Sequence, residues 1–262
     1  MHPQRRGQFL FPICKLKAKM LLGLHHVTAL AGDPQSTLDH YTQELKLRLV
    51  KRTVNFDDPG SYHLYFGDQQ GSPGTLLTVF TGFQRQAKTG SGQIVSSRLP
   101  LGVTLCENNL EPTAQFLAIL GFTPAGAEGN CHRFELPNGA ARIDVLDESQ
   151  AERGKLGAGA IHHVAFRVAD ESVQFDWRNR LVKAGVRVSP VKDRQYFHSI
   201  YFREPGGVLF EITTEGPGFL IDEPADALGG RLCLPPWLEP ARESIESRLS
   251  PLNLPQHAGT PS

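Results

Sequence analysis

The chain has 262 residues, a length that corresponds to one or two domains. Its 27 lysine and arginine residues balance 27 aspartate and glutamate residues, so the formal net charge is zero. This balance provides no basic surface for nucleic acid, and we expect no nucleic-acid partner. Hydrophobic residues make up 40% of the chain, enough for a buried core. No apolar run approaches about 18 residues, so we expect no membrane-spanning segment.

The first 19 residues differ from the rest of the chain. Residues 1–19 carry five basic side chains around a short apolar run, QFLFPIC, which is too short and too proline-interrupted for a secretion signal. We predict that they form a disordered or mis-assigned extension. The chain has four cysteines and no CxxC pair, so we expect reduced thiols in a cytoplasmic protein. They are Cys14, Cys106, Cys131 and Cys233.

An internal repeat organises the rest of the chain. The segment GLHHVTAL at residues 23–30 recurs as AIHHVAFR at residues 160–167. Each copy is followed by a helical spacing of apolar residues and then by a β-rich segment, LRLVKRTV in the first and VRVSPV in the second. A fainter copy begins with LGVTL at residues 101–105 and continues through PTAQFLAIL to the hairpin CHRFELPNGAARIDVL. Each copy predicts a β-α-β-β-β unit.

The repeat predicts an α+β fold of tandem βαβββ units. The first unit occupies residues 20–95 and the last occupies residues 158–215, and each contains a pair of adjacent histidines. The middle unit, residues 96–157, contains no such pair. Residues 216–262 are predicted to form a proline-bounded strap, a short helix and a tail.

The two histidine pairs, His25 with His26 and His162 with His163, occupy equivalent positions of the repeat. Side chains alternate along a strand, so one histidine of each pair faces the concave side of its sheet. A single pair would more often be structural. Two pairs that converge on one cavity are good ligands for a divalent transition metal.

Glu211 is the predicted third ligand. It lies in the apolar segment GGVLFEIT, where a carboxylate without a partner is costly to bury. A bound metal would remove that cost; the alternative is an ion pair with Arg194 or Arg203. Two histidines and one glutamate form a facial triad, which leaves adjacent coordination positions for a substrate and dioxygen.

Three longer segments carry a family resemblance. They are NFDDPGSYHLYFGD at residues 55–68, GAGAIHHVAFRV at residues 157–168 and DRQYFHSIYFREPGGVLFEI at residues 193–212. They resemble the vicinal oxygen chelate superfamily of glyoxalases, bleomycin-resistance proteins and extradiol dioxygenases. Within it they resemble the branch of hydroquinone ring-cleaving dioxygenases. The resemblance extends from about residue 22 to the segment LPPWLEPAR.

This resemblance implies a ring-cleaving reaction on a hydroquinone or catechol with dioxygen, at Fe(II) or alternatively Mn(II). The implied metal ligands are His26, His163 and Glu211. The other side chains that it implies at the catalytic site are His25, Thr28, His162, Arg194 and Tyr201. Of these, His25 or His162 would act as acid or base. Arg194 and Tyr201 would hydrogen-bond the developing negative charge.

The chain departs from this family in one respect. Members of the branch contain four βαβββ units, whereas here GSGQI at residues 90–94 leads almost directly into the unit that resembles the third. A second unit is therefore expected to be missing. Gly102 stands where a metal-binding histidine would align, so the resident third unit supplies no ligand. We expect its unpartnered sheet to favour association with another copy, as a homo-oligomer.

Two other functions stay open from the sequence. A glyoxalase-type isomerase or lyase would use the metal as a Lewis acid without dioxygen. Such sites often use a further carboxylate, and the matching segment LLTVF, residues 76–80, contains none. The missing unit favours the second alternative, a truncated binding protein without catalytic turnover.

Overall fold

The computed structural model describes residues 20–98 and 102–255. The predicted extension at residues 1–19 and the end of the predicted tail, residues 256–262, lie outside the described residues. Within those residues, no helix is long and apolar enough to cross a membrane.

The first group of elements has the predicted order of strand, helix and three strands. It comprises β1 (Leu24–Leu30), α1 (Pro34–Asp39), a π-helical turn (His40–Glu44), β2 (Arg48–Asn55), β3 (Asp58–Gly67) and β4 (Leu76–Phe80). The side chain of Asp33 caps α1 by accepting a hydrogen bond from the Ser36 amide. Pro34 occupies the first turn, where its missing amide hydrogen costs nothing.

The same order recurs in the middle and at the end of the chain. After β5 (Gln93–Arg98), the middle group comprises β6 (Gly102–Glu107), α2 (Leu110–Ile119), β7 (Thr123–Glu128), β8 (Cys131–Glu135) and β9 (Arg142–Asp147). The last group comprises β10 (Ile161–Val168), α3 (Glu171–Lys183), β11 (Lys192–Asp193), β12 (Phe197–Arg203) and β13 (Leu209–Pro217), and α4 (Arg242–Glu246) follows. The predicted α+β class is confirmed.

One predicted strand is wrong. Residues 186–191, the segment VRVSPV, form no regular strand, and only Val188 makes an isolated bridge, to Phe202. Pro190 has no amide hydrogen to donate to a neighbouring strand, which interrupts regular pairing. The short strand β11 begins immediately after this segment.

The sheet register brings the first and last groups together. The strands follow the order β2-β3-β4-β1-β10-β5-β6-β9-β8-β7, and β13 pairs with β10 and β12. In the antiparallel pair β1 and β10, His26 lies opposite Ala165 and Thr28 lies opposite His163. In the parallel pair β10 and β13, Ala165 lies opposite Glu211. The three predicted ligands therefore share one face of adjacent strands.

The main hydrophobic core lies on the other face of the last group. Phe210 alternates with Glu211 along β13, and its ring lies 6.2 Å from that of Phe116 on α2. Trp177 and Leu181 of α3 are buried in the same cluster. Helix α2 of the middle group thus packs on the face of β13 that is opposite Glu211.

The sheet of the middle group keeps one polar face. All six residues of β7 are exposed. A shallow polar depression on the sheet is lined by side chains that include Arg133 and Asp144, which pair at 2.8 Å. A Cβ atom at Gly102 would lie 2.2 Å from the carbonyl oxygen of Arg142, so no side chain fits there.

Two buried glutamates lie where the middle and last groups meet. Glu107 at the end of β6 and Glu204 after β12 have exposed fractions of 1% and 2%. Glu204 accepts a hydrogen bond of 2.8 Å from the Thr113 hydroxyl and two more from backbone amides. Glu107 Oε1 has no hydrogen-bond partner in the described residues. Burial, followed by the charge of Glu204, raises the pKa of Glu107 to about 8, against a smaller opposing effect of Arg153.

We therefore expect the contribution of Glu107 to stability to fall as the pH rises from 4.5 to about 8. In this interval the carboxyl group ionises in the unfolded chain but keeps its proton in the folded protein, which favours unfolding. Glu107→Gln should reduce the decline in unfolding free energy between pH 5 and pH 8 by up to about 4 kcal/mol. Urea titrations at the two pH values measure this, with the exposed Glu152→Gln as the control. Equal pH dependence in Glu107→Gln and the parent protein would contradict the expectation.

Candidate metal centre

The three predicted ligands converge on one point. His26 Nε2 lies 3.2 Å from His163 Nε2. Glu211 Oε2 lies 3.2 Å from His26 Nε2 and 3.0 Å from His163 Nε2. All three side chains are buried, Glu211 completely. Of the clusters of potential ligand atoms among the described residues, this is the one that contains histidines.

The donor atoms fit a single metal ion. Ligand atoms that lie about 2.1 Å from a metal at right angles to one another are about 3.0 Å apart, close to the three distances measured here. Glu211 Oε2 is buried, and no described residue gives it a hydrogen bond of acceptable geometry. Although burial raises it, the neighbouring imidazoles of His26 and His163 hold the pKa of Glu211 well below its usual value. An ionised, unsatisfied carboxylate beside two imidazole nitrogens suits a divalent cation.

Each ligand histidine is held by the histidine that precedes it. His25 Nδ1 lies 3.0 Å from His26 Nδ1, and His162 Nδ1 lies 2.7 Å from His163 Nδ1. Burial holds the pKa of His25 well below its usual value and lowers the pKa of His162 to about 3, so both rings are neutral. A neutral ring can accept the Nδ1 proton of its neighbour, which leaves Nε2 of each ligand free for a metal.

Ser199, which the sequence did not single out, holds the other oxygen of the ligand carboxylate. Its hydroxyl on β12 donates a hydrogen bond to Glu211 Oε1. Ser199 is fully buried, and its hydroxyl also lies 3.2 Å from that of Thr213. Glu211 is therefore oriented with Oε1 occupied and Oε2 directed at the imidazoles.

Ser199→Ala should weaken metal binding by about 10- to 100-fold, because the ligand carboxylate loses the donor that orients it. The substitution removes one oxygen atom and adds no bulk. Calorimetric titration of the apoprotein with Mn(II) measures the effect, and Ser247→Ala, at an exposed position, is the matched control. A Ser199→Ala protein that binds Mn(II) as tightly as the control would show that this hydrogen bond does not orient the ligand.

A cavity of about 360 Å³ is lined by two of the ligands, His26 and His163. Among the other residues that the sequence places at the site, His162, Arg194 and Tyr201 line this cavity. Thr28 is completely buried, with its hydroxyl 2.9 Å from His163 Nε2. His25 lies behind His26 and lines a separate, smaller depression. His162 is thus the better placed of the two candidates for acid or base.

Arg194 and Tyr201, which both line the cavity, are hydrogen-bonded to each other. Arg194 Nε donates to the Tyr201 hydroxyl at 3.1 Å, and Arg194 Nη2 bonds Asp57 at 2.9 Å. The ring of Tyr201 stands edge-on to that of His163, with 5.9 Å between centroids. Burial and the charge of Glu211 raise the pKa of Tyr201, so its hydroxyl keeps its proton. That proton is available to a negatively charged oxygen in the cavity.

The alternative ion pair of Glu211 with an arginine is not formed. Arg194 pairs with Asp57, and Arg203 donates to the carbonyl oxygen of Gly207. Neither arginine therefore compensates the charge of Glu211, whose Oε2 lies beside the two imidazoles.

Sequence reasoning missed further residues of the cavity wall. His63 and Tyr65 on β3 line it, and Thr78 on β4 is hydrogen-bonded to His63 and, at 2.7 Å, to Thr28. The two β3 residues lie in the segment NFDDPGSYHLYFGD, and their spacing of two puts them on one face of the strand. That alternation was a usable signal.

Comparison with known proteins assigns this fold and site to a family. The glyoxalase/bleomycin resistance protein/dioxygenase superfamily model matches residues 101–212. The Bacillus subtilis (strain 168) protein named Putative ring-cleaving dioxygenase MhqO is 34% identical, over 90% of this chain and 98% of that protein. The chlorohydroquinone/hydroquinone 1,2-dioxygenase of Sphingobium indicum is 32% identical, over 85% of this chain and 94% of that protein. The crystal structure of a putative dioxygenase from Bacillus subtilis subsp. subtilis str. 168 matches with a TM-score of 0.84 and 34% identity, over 91% of this chain and 99% of that one.

The chain belongs to the glyoxalase/bleomycin resistance protein/dioxygenase superfamily. Within it, the relatives are named as ring-cleaving dioxygenases, which confirms the resemblance and the enzyme class predicted from the sequence.

The relatives contain residues that this chain lacks. The alignment with MhqO extends over 307 residues, whereas only 90% of the 262 residues here take part in it. About 70 positions of that relative thus have no counterpart in this chain. This difference is close to the length of one βαβββ unit as predicted from the repeat.

Proposed function

We propose that this protein is a metal-dependent dioxygenase that opens the ring of a hydroquinone or catechol, with His26, His163 and Glu211 as ligands of Fe(II). The observation that carries the proposal is Glu211 Oε2, a buried, unsatisfied carboxylate oxygen that faces the imidazole nitrogens of two histidines that line the cavity. Mn(II) accepts the same donors and is the alternative metal.

The bound metal would hold a phenolate oxygen and dioxygen side by side and let electrons pass between them. The protein's own side chains position the substrate and donate hydrogen bonds to it. His162 accepts at Nδ1 from His163, so the proton of its neutral ring is on Nε2, from which it donates a hydrogen bond to an oxygen in the cavity. The Tyr201 hydroxyl accepts from Arg194 and donates its own proton to negative charge that develops on the substrate.

The cavity suits a single aromatic ring. Its volume of about 360 Å³ is at the lower end of ligand sites, and aromatic side chains, Phe80, Phe83 and Phe197 among them, form much of its wall. Flat apolar walls with a few polar groups beside the metal ligands favour a small ring with ionisable hydroxyl groups. We propose such an aromatic compound and dioxygen as the substrates.

The glyoxalase-type isomerase is the weaker candidate. That chemistry would need a further carboxylate near the metal, and none joins the cluster of His26, His163 and Glu211 in the described residues. Thr78 stands on β4, opposite Thr28, and its hydroxyl binds Thr28 and His63. A neutral hydroxyl in that network cannot replace a carboxylate as a base at physiological pH.

The unit boundaries and the oligomeric state are further proposals. We infer that residues 20–95, 96–157 and 158–215 are three βαβββ units of an ancestral four, which is supported by the length difference from MhqO. The exposed β7 strand supports a homo-oligomer, which light scattering coupled to size exclusion would test. The free thiols of Cys106, Cys131 and Cys233 support a cytoplasmic enzyme.

An oxygen-uptake assay separates the candidates. The protein is purified without oxygen, loaded with Fe(II) or Mn(II), and supplied with hydroquinones, catechols or the hemithioacetal of methylglyoxal and a thiol. We expect oxygen uptake with hydroquinones or catechols, coupled to loss of the aromatic absorbance. Turnover of the hemithioacetal without oxygen would indicate the isomerase. Tight metal binding without turnover of any compound would indicate the binding protein.

A further inference from the structure

A continuous series of hydrogen bonds leads from the interior of the first group of strands to the metal centre. The Tyr65 hydroxyl lies 2.9 Å from His63 Nδ1, and His63 Nε2 lies 2.9 Å from the Thr78 hydroxyl. Thr78 Oγ1 lies 2.7 Å from Thr28 Oγ1, which lies 2.9 Å from His163 Nε2. The proposed reaction assigns no role to Tyr65, His63 or Thr78. We call Tyr65, His63, Thr78 and Thr28 the hydroxyl relay.

The strand register explains why these side chains meet. Tyr65 on β3 lies opposite Thr78 on β4, Thr78 lies opposite Thr28 on β1, and Thr28 lies opposite His163 on β10. Four neighbouring strands thus place one residue each in a row across the sheet. Residues in such a row project from the same face. His63, two positions before Tyr65, projects from that face as well.

Packing restricts the ring of His63. Its centroid lies 4.1 Å from that of Tyr65 and 4.1 Å from that of Phe80, so an aromatic ring flanks it on each of two sides. Both ring nitrogens have partners, Nδ1 the tyrosine hydroxyl and Nε2 the hydroxyl of Thr78. The ring can change neither its position nor its partners without loss of packing and hydrogen bonds.

Tyr65, the member of the relay furthest from the metal centre, determines which group donates in each of its hydrogen bonds. Tyr65 is 1% exposed, burial raises its pKa well above the usual value, and its one hydrogen bond in the described residues is to His63. Its hydroxyl therefore donates to His63 Nδ1. Burial holds the pKa of His63 well below its usual value, so the neutral ring carries its one proton on Nε2 and donates to Thr78. Thr78 then donates to Thr28, whose own hydrogen is left to point at the ligand atom of His163.

We propose that the hydroxyl relay fixes Thr28 as a hydrogen-bond donor to the oxygen atom that occupies the open side of the metal centre, and that Tyr65, His63 and Thr78 are positioning residues for it. This inference rests on the proposed function. A metal on His163 Nε2 would use the lone pair that accepts from Thr28 here, and the threonine hydrogen would then be free for a substrate oxygen. Because the Thr28 hydroxyl already accepts from Thr78, it can only donate to a substrate oxygen. Such a donor favours an ionised ring hydroxyl over a neutral one.

The direction of the relay can be tested without metal. Nitrogen-15 NMR of the imidazole side chains in the apoprotein distinguishes the two neutral tautomers of His63. We expect the Nε2–H form in the parent protein and a mixture of both forms in Tyr65→Phe, which removes the donor to Nδ1. A Nδ1–H ring in the parent protein would reverse every hydrogen bond of the relay and overturn the proposal.

The effect on the open side of the metal centre is tested with a bound phenolate. The probe is 4-nitrocatechol, whose visible spectrum reports ionisation of its hydroxyl groups, added to the Mn(II)-loaded protein without oxygen. Thr78→Val should weaken binding of the probe by about 10-fold and shift its spectrum, since the donor to Thr28 is lost. Tyr65→Phe should act in the same direction, by about 3-fold. Thr78→Ser, which keeps a hydroxyl at this position, should bind the probe within about 2-fold of the affinity of the parent protein.

Metal binding separates this inference from the function on which it rests. Mn(II) affinity should be the same in the parent protein, Thr78→Val and Tyr65→Phe, because none of the three ligands changes. If the parent protein binds Mn(II) and the probe but Thr78→Val binds the probe equally with the same spectrum, only the relay is wrong. If the parent protein binds no Mn(II), both the proposed function and the relay fail.

Discussion

His26→Ala and His163→Ala should each remove the bound metal and lower the rate of ring cleavage by at least about 1,000-fold. Each substitution leaves two of three donors, and the remaining carboxylate is completely buried. The metal provides several kcal/mol of stabilisation for the reacting oxygen atoms, and no side chain in the cavity can replace it. Metal analysis after anaerobic loading and oxygen uptake with the best hydroquinone measure the two losses.

A matched control distinguishes loss of the ligand from loss of a histidine. His40→Ala removes a surface imidazole that is 49% exposed, pairs with Glu44 at 2.8 Å and is not part of the ligand cluster. We expect His40→Ala to keep full metal content and activity. A His163→Ala protein that stays folded, keeps one metal per chain and retains its activity would show that the ligands are elsewhere.

Lys51→Ala should lower the free energy of unfolding by about 3–5 kcal/mol, the largest effect that we expect from a residue outside the metal centre. Lys51 on β2 is completely buried. Its ammonium group bonds Asp222 at 2.5 Å and Glu223, and it lies 5.0 Å from the centre of the Tyr196 ring. Its removal would leave two carboxylates beside an empty volume, one of them, Glu223, almost fully buried.

Burial, rather than the ion pair as such, is the reason for this large effect. Lys88 bonds Glu152 at 2.5 Å, but their side chains are 59% and 79% exposed. Lys88→Ala should therefore change the free energy of unfolding by less than about 1 kcal/mol. Chemical denaturation of both variants tests the difference. Equal losses in the two variants, or a loss below about 1 kcal/mol in Lys51→Ala, would contradict the structural role of this buried cation.

The central part of the candidate site could be predicted because it is encoded in local patterns. The HHV repeat placed the two histidine pairs at equivalent positions, and an isolated carboxylate in an apolar strand drew attention to Glu211; the family resemblance singled out His26 and His163 within the pairs. The α+β class followed from the alternation of helical and strand-like segments. These signals need no knowledge of which strands become neighbours.

The rest of the site depends on contacts between distant segments. Thr78 and His63 reach the site only because β4 pairs with β1 and β3 pairs with β4. Lys51 meets Asp222 and Glu223 across 171 and 172 positions of the chain, and no periodicity marks that pairing. The sequence shows which face of a strand a residue occupies, but the opposing residue is set by register and by the long-range fold.

Isotope labelling tests the proposed chemistry and its ligands together. The Fe(II)-loaded parent protein and Glu211→Gln are each given a hydroquinone under ¹⁸O₂. The substitution keeps the shape of the side chain but removes its charge. The products are trapped before their carbonyl oxygens exchange with water, and their mass is measured by mass spectrometry. We expect the parent protein to form a ring-opened product that carries both atoms of one dioxygen molecule, and Glu211→Gln to form almost none. A product without ¹⁸O, or equal product from Glu211→Gln, would contradict a ring-cleaving dioxygenase built on His26, His163 and Glu211.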